Sequence, residues 1–136
     1  MNIFNNKTIN YSHYNITNKD GKSNCVIRSF CKLYNKEYDD IYKELCNIQK
    51  ELKCDSYNDI PVFEKYMSNN NTYYVEAIKD IKIKDLILDN SSFIVLCWDK
   101  NEYYHMVPII DNVLYDKDNK SLDLYVLKLY KQSTNK

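Results

Sequence analysis

The apolar residues of this chain change their spacing once, at Ser68-Asn69-Asn70-Asn71, and that change limits what the chain can fold into. Before it they recur every three or four positions, the period of an amphipathic helix. Ile41, Tyr42, Leu45, Ile48 and Leu52 step in this way, and Asp39 and Asp40 supply acids for a first turn. A helix is therefore expected from Asp39 or Asp40 to Leu52. Asn58-Asp59-Ile60-Pro61 leads into another, over 61–67, with proline in the first turn where its missing N–H is tolerated. An earlier helix takes Asn24 or Cys25 to about Tyr34. It buries Val26, Ile27, Phe30, Cys31 and Leu33, a wide face that suits packing on more than one side.

Beyond the asparagines the runs are those of strands. Residues 72–78, 93–98, 103–110, 113–116 and 121–129 read as strands, and 83–89 as a short helix. Asp111-Asn112 is a two-residue turn of the kind hairpins favour. The expected fold class is α+β, a helical N-terminal half packed on a C-terminal antiparallel β-sheet. A chain of 136 residues, 44% of them apolar, suits one domain, 1–136, with a real core. Within it, 1–22 is expected to be an extended strand and loop, with Gly21, the single glycine, turning the chain into the first helix. Residues 131–136 are expected to be a disordered tail.

Composition excludes several function classes. The 19 basic and 19 acidic side chains cancel, so no draw toward nucleic acid or a membrane surface is expected. The longest apolar runs, such as Phe93 to Trp98, are far too short to cross a bilayer. The five cysteines, at 25, 31, 46, 54 and 97, are odd in number, form no CxxC pair and follow no apolar leader, which predicts reduced thiols in a cytoplasmic protein. Two histidines and scattered cysteines give no metal-ligand spacing, and one glycine cannot build a phosphate or dinucleotide loop. Neither a metal nor another cofactor is expected. Arg28 is the single arginine, and its rigid fork suits an ion pair with an acid of the second helix.

One cysteine is placed differently from the others. Gly21-Lys22-Ser23-Asn24 ends in helix-capping residues, so Cys25 falls in a first turn, where free N–H groups and the dipole favour a thiolate. Cys31, Cys46, Cys54 and Cys97 read as packing residues. His105 precedes the strand-like Met106-Val107-Pro108-Ile109-Ile110. If Asp111 and Asn112 form the turn, 110 faces 113, 107 faces 116 and 105 faces 118, with 105, 107, 116 and 118 on one face of the sheet. Asp116 is then diagonal to His105 and Asp118 directly opposite, and either carboxylate suits the orienting of the imidazole. A free thiol, pKa about 8.5, is scarcely ionised at neutral pH, and a neighbouring imidazolium lowers that value by several units. A tetrahedral oxyanion needs two donors, the Cys25 N–H and one from the preceding loop, where Lys19, Lys22, Ser23 and Asn24 are candidates. The pair Tyr103-Tyr104 suits the wall of a substrate groove.

Two segments resemble a family. Asn24-Cys25-Val26-Ile27-Arg28-Ser29-Phe30, followed by Lys36-Glu37-Tyr38-Asp39-Asp40-Ile41-Tyr42, is similar to the opening of small papain-like cysteine peptidase-like proteins of phages and bacteria, with the pattern [DN]-C-V-[IV]-R. His105-Met106-Val107-Pro108-Ile109-Ile110-Asp111-Asn112-Val113-Leu114-Tyr115-Asp116 resembles their H-x-V-x(3)-D-[GN]-x(3)-D segment. The chain carries Asn24 where Asp is commoner and Asn112 where Gly is commoner, and no glutamine stands before Cys25 as in many papain-like enzymes. The resemblance implies a papain-like cysteine protease fold with Cys25 as nucleophile, His105 as base and Asp116, rather than Asp118, as the orienting acid. It implies a phage or mobile-element peptidase, isopeptidase or other amide hydrolase, working through a thioester on a peptide or protein substrate in the host cytosol. The alternative expectation is a phage-encoded binding protein, such as an anti-defence inhibitor, that uses the same scaffold against a host protein without catalysis.

Overall fold

In the computed structural model, residues 8–75 and 80–133 are described. The elements follow in the order β1 (Asn10–His13), α1 (Cys25–Tyr34), α2 (Tyr38–Leu52), α3 (Ile60–Asn69), β2 (Thr72–Tyr74), β3 (Ser92–Trp98), β4 (Tyr104–Ile110), β5 (Val113–Asp116) and β6 (Tyr125–Gln132). Short 3-10 turns at Ile83–Asp85 and Lys120–Asp123 precede β3 and β6. The six strands form one sheet in the order β1-β5-β4-β3-β6-β2. The fold is α+β, as the change of spacing implies.

The three helices cover one face of the sheet. Ile27, Phe30, Ile41, Leu45, Val62, Tyr66 and Met67 pack there against Ile94, Leu96, Met106 and Tyr130. The other face holds Val95, Cys97, Val107, Ile109, Leu114, Val126 and Leu129, closed over by Ile9, Ile83 and Leu86. Alternate residues of β3 thus enter two cores, which explains its unbroken apolar sequence.

Five sequence expectations change. The sheet is mixed rather than antiparallel, because β1 runs parallel to β5, with Asn10 beside Val113 and His13 beside Asp116. The helix expected over 83–89 is only the turn Ile83–Asp85. Ile83 and Leu86 need a single turn to reach the second core, and Asp89 Oδ1 then takes the Ser91 N–H in a local turn. The strand expected from Ser121 starts at Tyr125, since Lys120–Asp123 coils to bring Ser121 to the carboxylate of Asp116. The tail expected from residue 131 is ordered through Gln132, which pairs with Thr72, while 134–136 lie outside the described residues. The strand expected over 72–78 covers Thr72–Tyr74, and 76–79 lie outside the described residues.

The hairpin between β4 and β5 has the expected turn. Asp111 and Asn112 are left-handed, with φ of 51° and 64°, and Ile110 faces Val113 while Ile109 faces Leu114. The ladder stops after those two pairs, and α1 docks beside the rest of β4. The Ser29 hydroxyl there lies 3.1 Å from the Met106 carbonyl and 2.7 Å from that of Cys25. Among the described residues, no helix is long and apolar enough to cross a membrane.

Candidate active site

The start of α1 is built by its cap. Asn24 has extended backbone angles, and its Oδ1 accepts the N–H groups of Val26 at 2.9 Å and Ile27 at 3.1 Å. The Cys25 N–H comes just before these two, at the positive end of the helix. Upstream, Asn18 Oδ1 accepts the N–H groups of Asp20 and Lys22, and Gly21 turns the chain with φ of 79°. Lys22 itself is exposed, and its main chain is occupied in that turn with Asn18.

Cys25 is half-buried, and its thiol meets the imidazole of His105. Burial alone pushes the thiol pKa up. The His105 hydrogen bond and charge outweigh it, helped by a backbone hydrogen bond from Met106 and by the Arg28 charge, so the pKa falls below its ordinary value. His105 is 8% exposed, and its Nε2 lies 2.8 Å from Asp116 Oδ2, which leaves Nδ1 as the ring nitrogen for Cys25. Burial works against the imidazolium, but hydrogen bonds to Asp116 and Cys25 raise its pKa to about 9. The ring of Tyr103 stacks over His105, centroids 5.8 Å apart and planes 21° apart.

Asp116 is 2% exposed and held from every side. Oδ2 also accepts the Ser121 hydroxyl at 3.1 Å, and Oδ1 accepts Arg28 Nη2 at 3.1 Å and the Lys117 N–H at 2.8 Å. Its main-chain carbonyl accepts the Tyr11 hydroxyl and the Tyr14 N–H. Burial raises the carboxyl pKa, but the hydrogen bond and charge of His105, with Lys117 and Arg28, hold it below the usual carboxylate value.

The structure therefore gathers Cys25, His105 and Asp116 into one hydrogen-bonded row and sorts the other candidates. Asp118 does not face His105, because β5 ends at Asp116; its Oδ1 accepts the Lys120 N–H instead. Tyr104 stacks on Trp98, 5.6 Å between centroids, and it is Tyr103 that covers the histidine. Asn24 spends its Oδ1 on capping the helix, accepting the Val26 and Ile27 N–H groups. Arg28 pairs with Asp116, not with an acid of α2. Sequence reasoning missed Ser121, Tyr103 as the stacking partner, and Tyr57. Tyr57, in the α2–α3 connection, packs like Cys25 against the helical core, and its phenol is raised first by burial and then by the charges of Cys46 and Cys25.

A cleft of about 510 Å³ opens beside the row, lined by Tyr103, His105, Asp116, Lys117, Asp118, Lys120, Ser121 and Leu124. A hollow of similar size at Asn35, Lys36, Glu37, Asp40, Lys43 and Glu44 holds none of the triad groups. The remaining buried thiols differ from Cys25 in their surroundings. Cys31 is pushed up to about 11 by burial, and Cys97, whose Sγ lies 3.3 Å from the His105 carbonyl oxygen, is pushed up further by the same cause. Among the described residues, no group of three His, Cys, Asp or Glu side chains is arranged to hold a metal ion.

The row can do nucleophilic acyl chemistry: a thiol of lowered pKa at the first residue of a helix, and an imidazole with one nitrogen on the thiol and one on a fixed carboxylate. Compared with protein-family models, curated proteins and solved structures, the chain matches none of them.

Proposed function

We propose that the protein is a papain-like cysteine hydrolase that cleaves amide bonds in peptide or protein substrates through a thioester on Cys25. The observation that carries this reading is the Nε2 to Oδ2 contact of 2.8 Å between His105 and Asp116, made while the same ring meets a thiol at a helix N-terminus. Four donors on the Asp116 carboxylate fix the acid, and the acid fixes the ring. The resemblance of the Cys25 and His105 segments to phage and bacterial papain-like proteins supports the papain-like fold and a phage or mobile-element setting.

In this mechanism the thiolate of Cys25 attacks the carbonyl carbon, and the carbonyl electrons move to oxygen, facing the Cys25 N–H. The imidazolium of His105 gives its Nδ1 proton to the departing amine as the C–N bond breaks, leaving the thioester. Neutral His105 then takes a proton from water. The hydroxide oxygen attacks the thioester, the C–S bond breaks, and acid and thiolate are released. Asp116 keeps its charge throughout and stabilises the imidazolium.

An activated ester tests this reading without a known substrate. Treated with p-nitrophenyl acetate near pH 6, the wild type is expected to give a burst of nitrophenolate and an acetyl group on Cys25 by mass spectrometry. Cys25→Ala is expected to give neither. Acetylation spread evenly over the five cysteines would count against the enzyme, and a host protein bound equally by wild type and Cys25→Ala would favour the binding-protein alternative.

A further inference from the structure

We propose that Arg28 is a positioning residue of the triad, locking the helix that carries Cys25 to the acid that orients His105 and completing a charge-balanced buried row. The inference rests on the proposed roles of Cys25, His105 and Asp116. Arg28 lies on α1 three residues after Cys25, so both project from neighbouring positions of one helix. It is 3% exposed, yet carries a full charge. Its fork is divided: Nη2 reaches Asp116 Oδ1 at 3.1 Å, and Nη1 reaches Ser23 Oγ at 2.8 Å. Ser23 Oγ in turn lies 2.9 Å from the Ile16 carbonyl oxygen. One side chain thus joins the loop before the nucleophile, the nucleophile's helix and the end of β5. A lysine, with a single point charge on a flexible stem, does not present that planar fork.

The charges argue for more than mechanical linkage. With thiolate and imidazolium formed, Arg28, Asp116, His105 and Cys25 alternate in sign and sum to zero. Burying an unbalanced charge is costly, and removing one member of a buried pair leaves the other uncompensated. Without the guanidinium, the Asp116 charge is opposed by the His105 imidazolium alone. It then opposes a second anion at Cys25, so the thiolate forms only at higher pH. The other ionisable groups around the pair are Tyr11 and Tyr14 from the leading segment, Tyr38 from α2, Cys97 from β3, Tyr103 just before β4, and Lys117 and Asp118 after β5. The four tyrosines are raised above 10 by burial first, and burial likewise pushes the Cys97 thiol up, so all five stay neutral through the acid and neutral range. Lys117 is exposed and gives Asp116 its main-chain N–H rather than its ammonium.

The test reads Cys25 alkylation by iodoacetamide against pH in folded wild type, Arg28→Gln, Arg28→Lys and Ser23→Ala, with the site identified by mass spectrometry. The acid limb of the profile is expected to move up by about one pH unit in Arg28→Gln, which keeps polar shape without charge. Arg28→Lys, which keeps charge without the fork, is expected to move it by less, and Ser23→Ala to leave it in place. If Arg28→Gln does not fold, the upward step in Arg28→Lys carries the test. Limbs that coincide with wild type in both Arg28 variants, with only thermal stability lost, would overturn the proposal and make Arg28 a structural ion pair. An ordinary thiol profile in the wild type would instead overturn the hydrolase reading on which it rests.

Discussion

Asp116 shows how much of this site rests on single residues. Its carboxylate accepts four hydrogen bonds in a nearly dry setting, so removing it strands the Arg28 charge and frees the imidazole at once. Asp116→Ala is expected to lower unfolding stability by about 3–5 kcal/mol in urea titrations, the usual cost of breaking a buried ion pair. The pH dependence has a definite sign. A carboxyl held below its unfolded pKa stabilises fully above about 3.9 and loses that contribution as pH falls through the lower folded value. The wild type should therefore lose stability into acid more steeply than Asp116→Asn. In the same experiment series, NMR titration should find the His105 imidazole near pH 9 in the wild type and well below it in Asp116→Ala. Cys25 and His105 were legible in the sequence because a helix cap and a strand each fix a local direction, whereas the two-residue turn left Asp116 and Asp118 open and only the resemblance favoured Asp116. Arg28 was not, since its partner lies 88 positions away and only the closed fold brings them together.

At the scale of elements, local signals and tertiary demands divide the chain between them. The capping of α1 is local: Asn24 holds two N–H groups and so sets where the helix starts and where the thiol sits. Asn24→Ala is expected to cost about 1 kcal/mol in chemical unfolding and to slow Cys25 alkylation at pH 6, as the first turn frays. The turn at Asp111-Asn112 is equally local, and its register followed from its length. The segment 83–89 was misread because Ile83 and Leu86 are spaced for a helix of either kind. What limits it to one turn is that Ile83 and Leu86 already reach the second core within it, and the backbone is extended again at Leu86. The early end of the β4–β5 ladder was invisible for a related reason: docking of α1 through Ser29, a tertiary contact, takes the place of further pairing.

Over the whole molecule, a sheet built from the C-terminal half is edged by two short strands, β1 from the N-terminal segment beside β5 and β2, which follows the helices, beside β6. Those edge strands are short and polar, Asn10-Tyr11-Ser12-His13 and Thr72-Tyr73-Tyr74, so the sequence gives them little amphipathic signature and none of their pairing. The α+β class was legible because it needs only the change of period; the parallel edge was not, because it depends on contacts more than a hundred residues apart. The load falls on β3, covered on both faces and paired on both sides. Ile94→Ala, at a fully buried position, is expected to cost about 2–5 kcal/mol, and the β3 amides should exchange hydrogen most slowly. That frame brings the start of α1 against β4, and with it a thiol against an imidazole. The most direct measurement of that claim is the pH dependence of iodoacetamide alkylation at each cysteine, in wild type and His105→Ala. The account predicts that Cys25 reacts first, with a pKa well below about 8.5 that returns toward it when His105 is lost. A Cys25 that reacts no faster than Cys46 or Cys54, and is indifferent to His105, would contradict it.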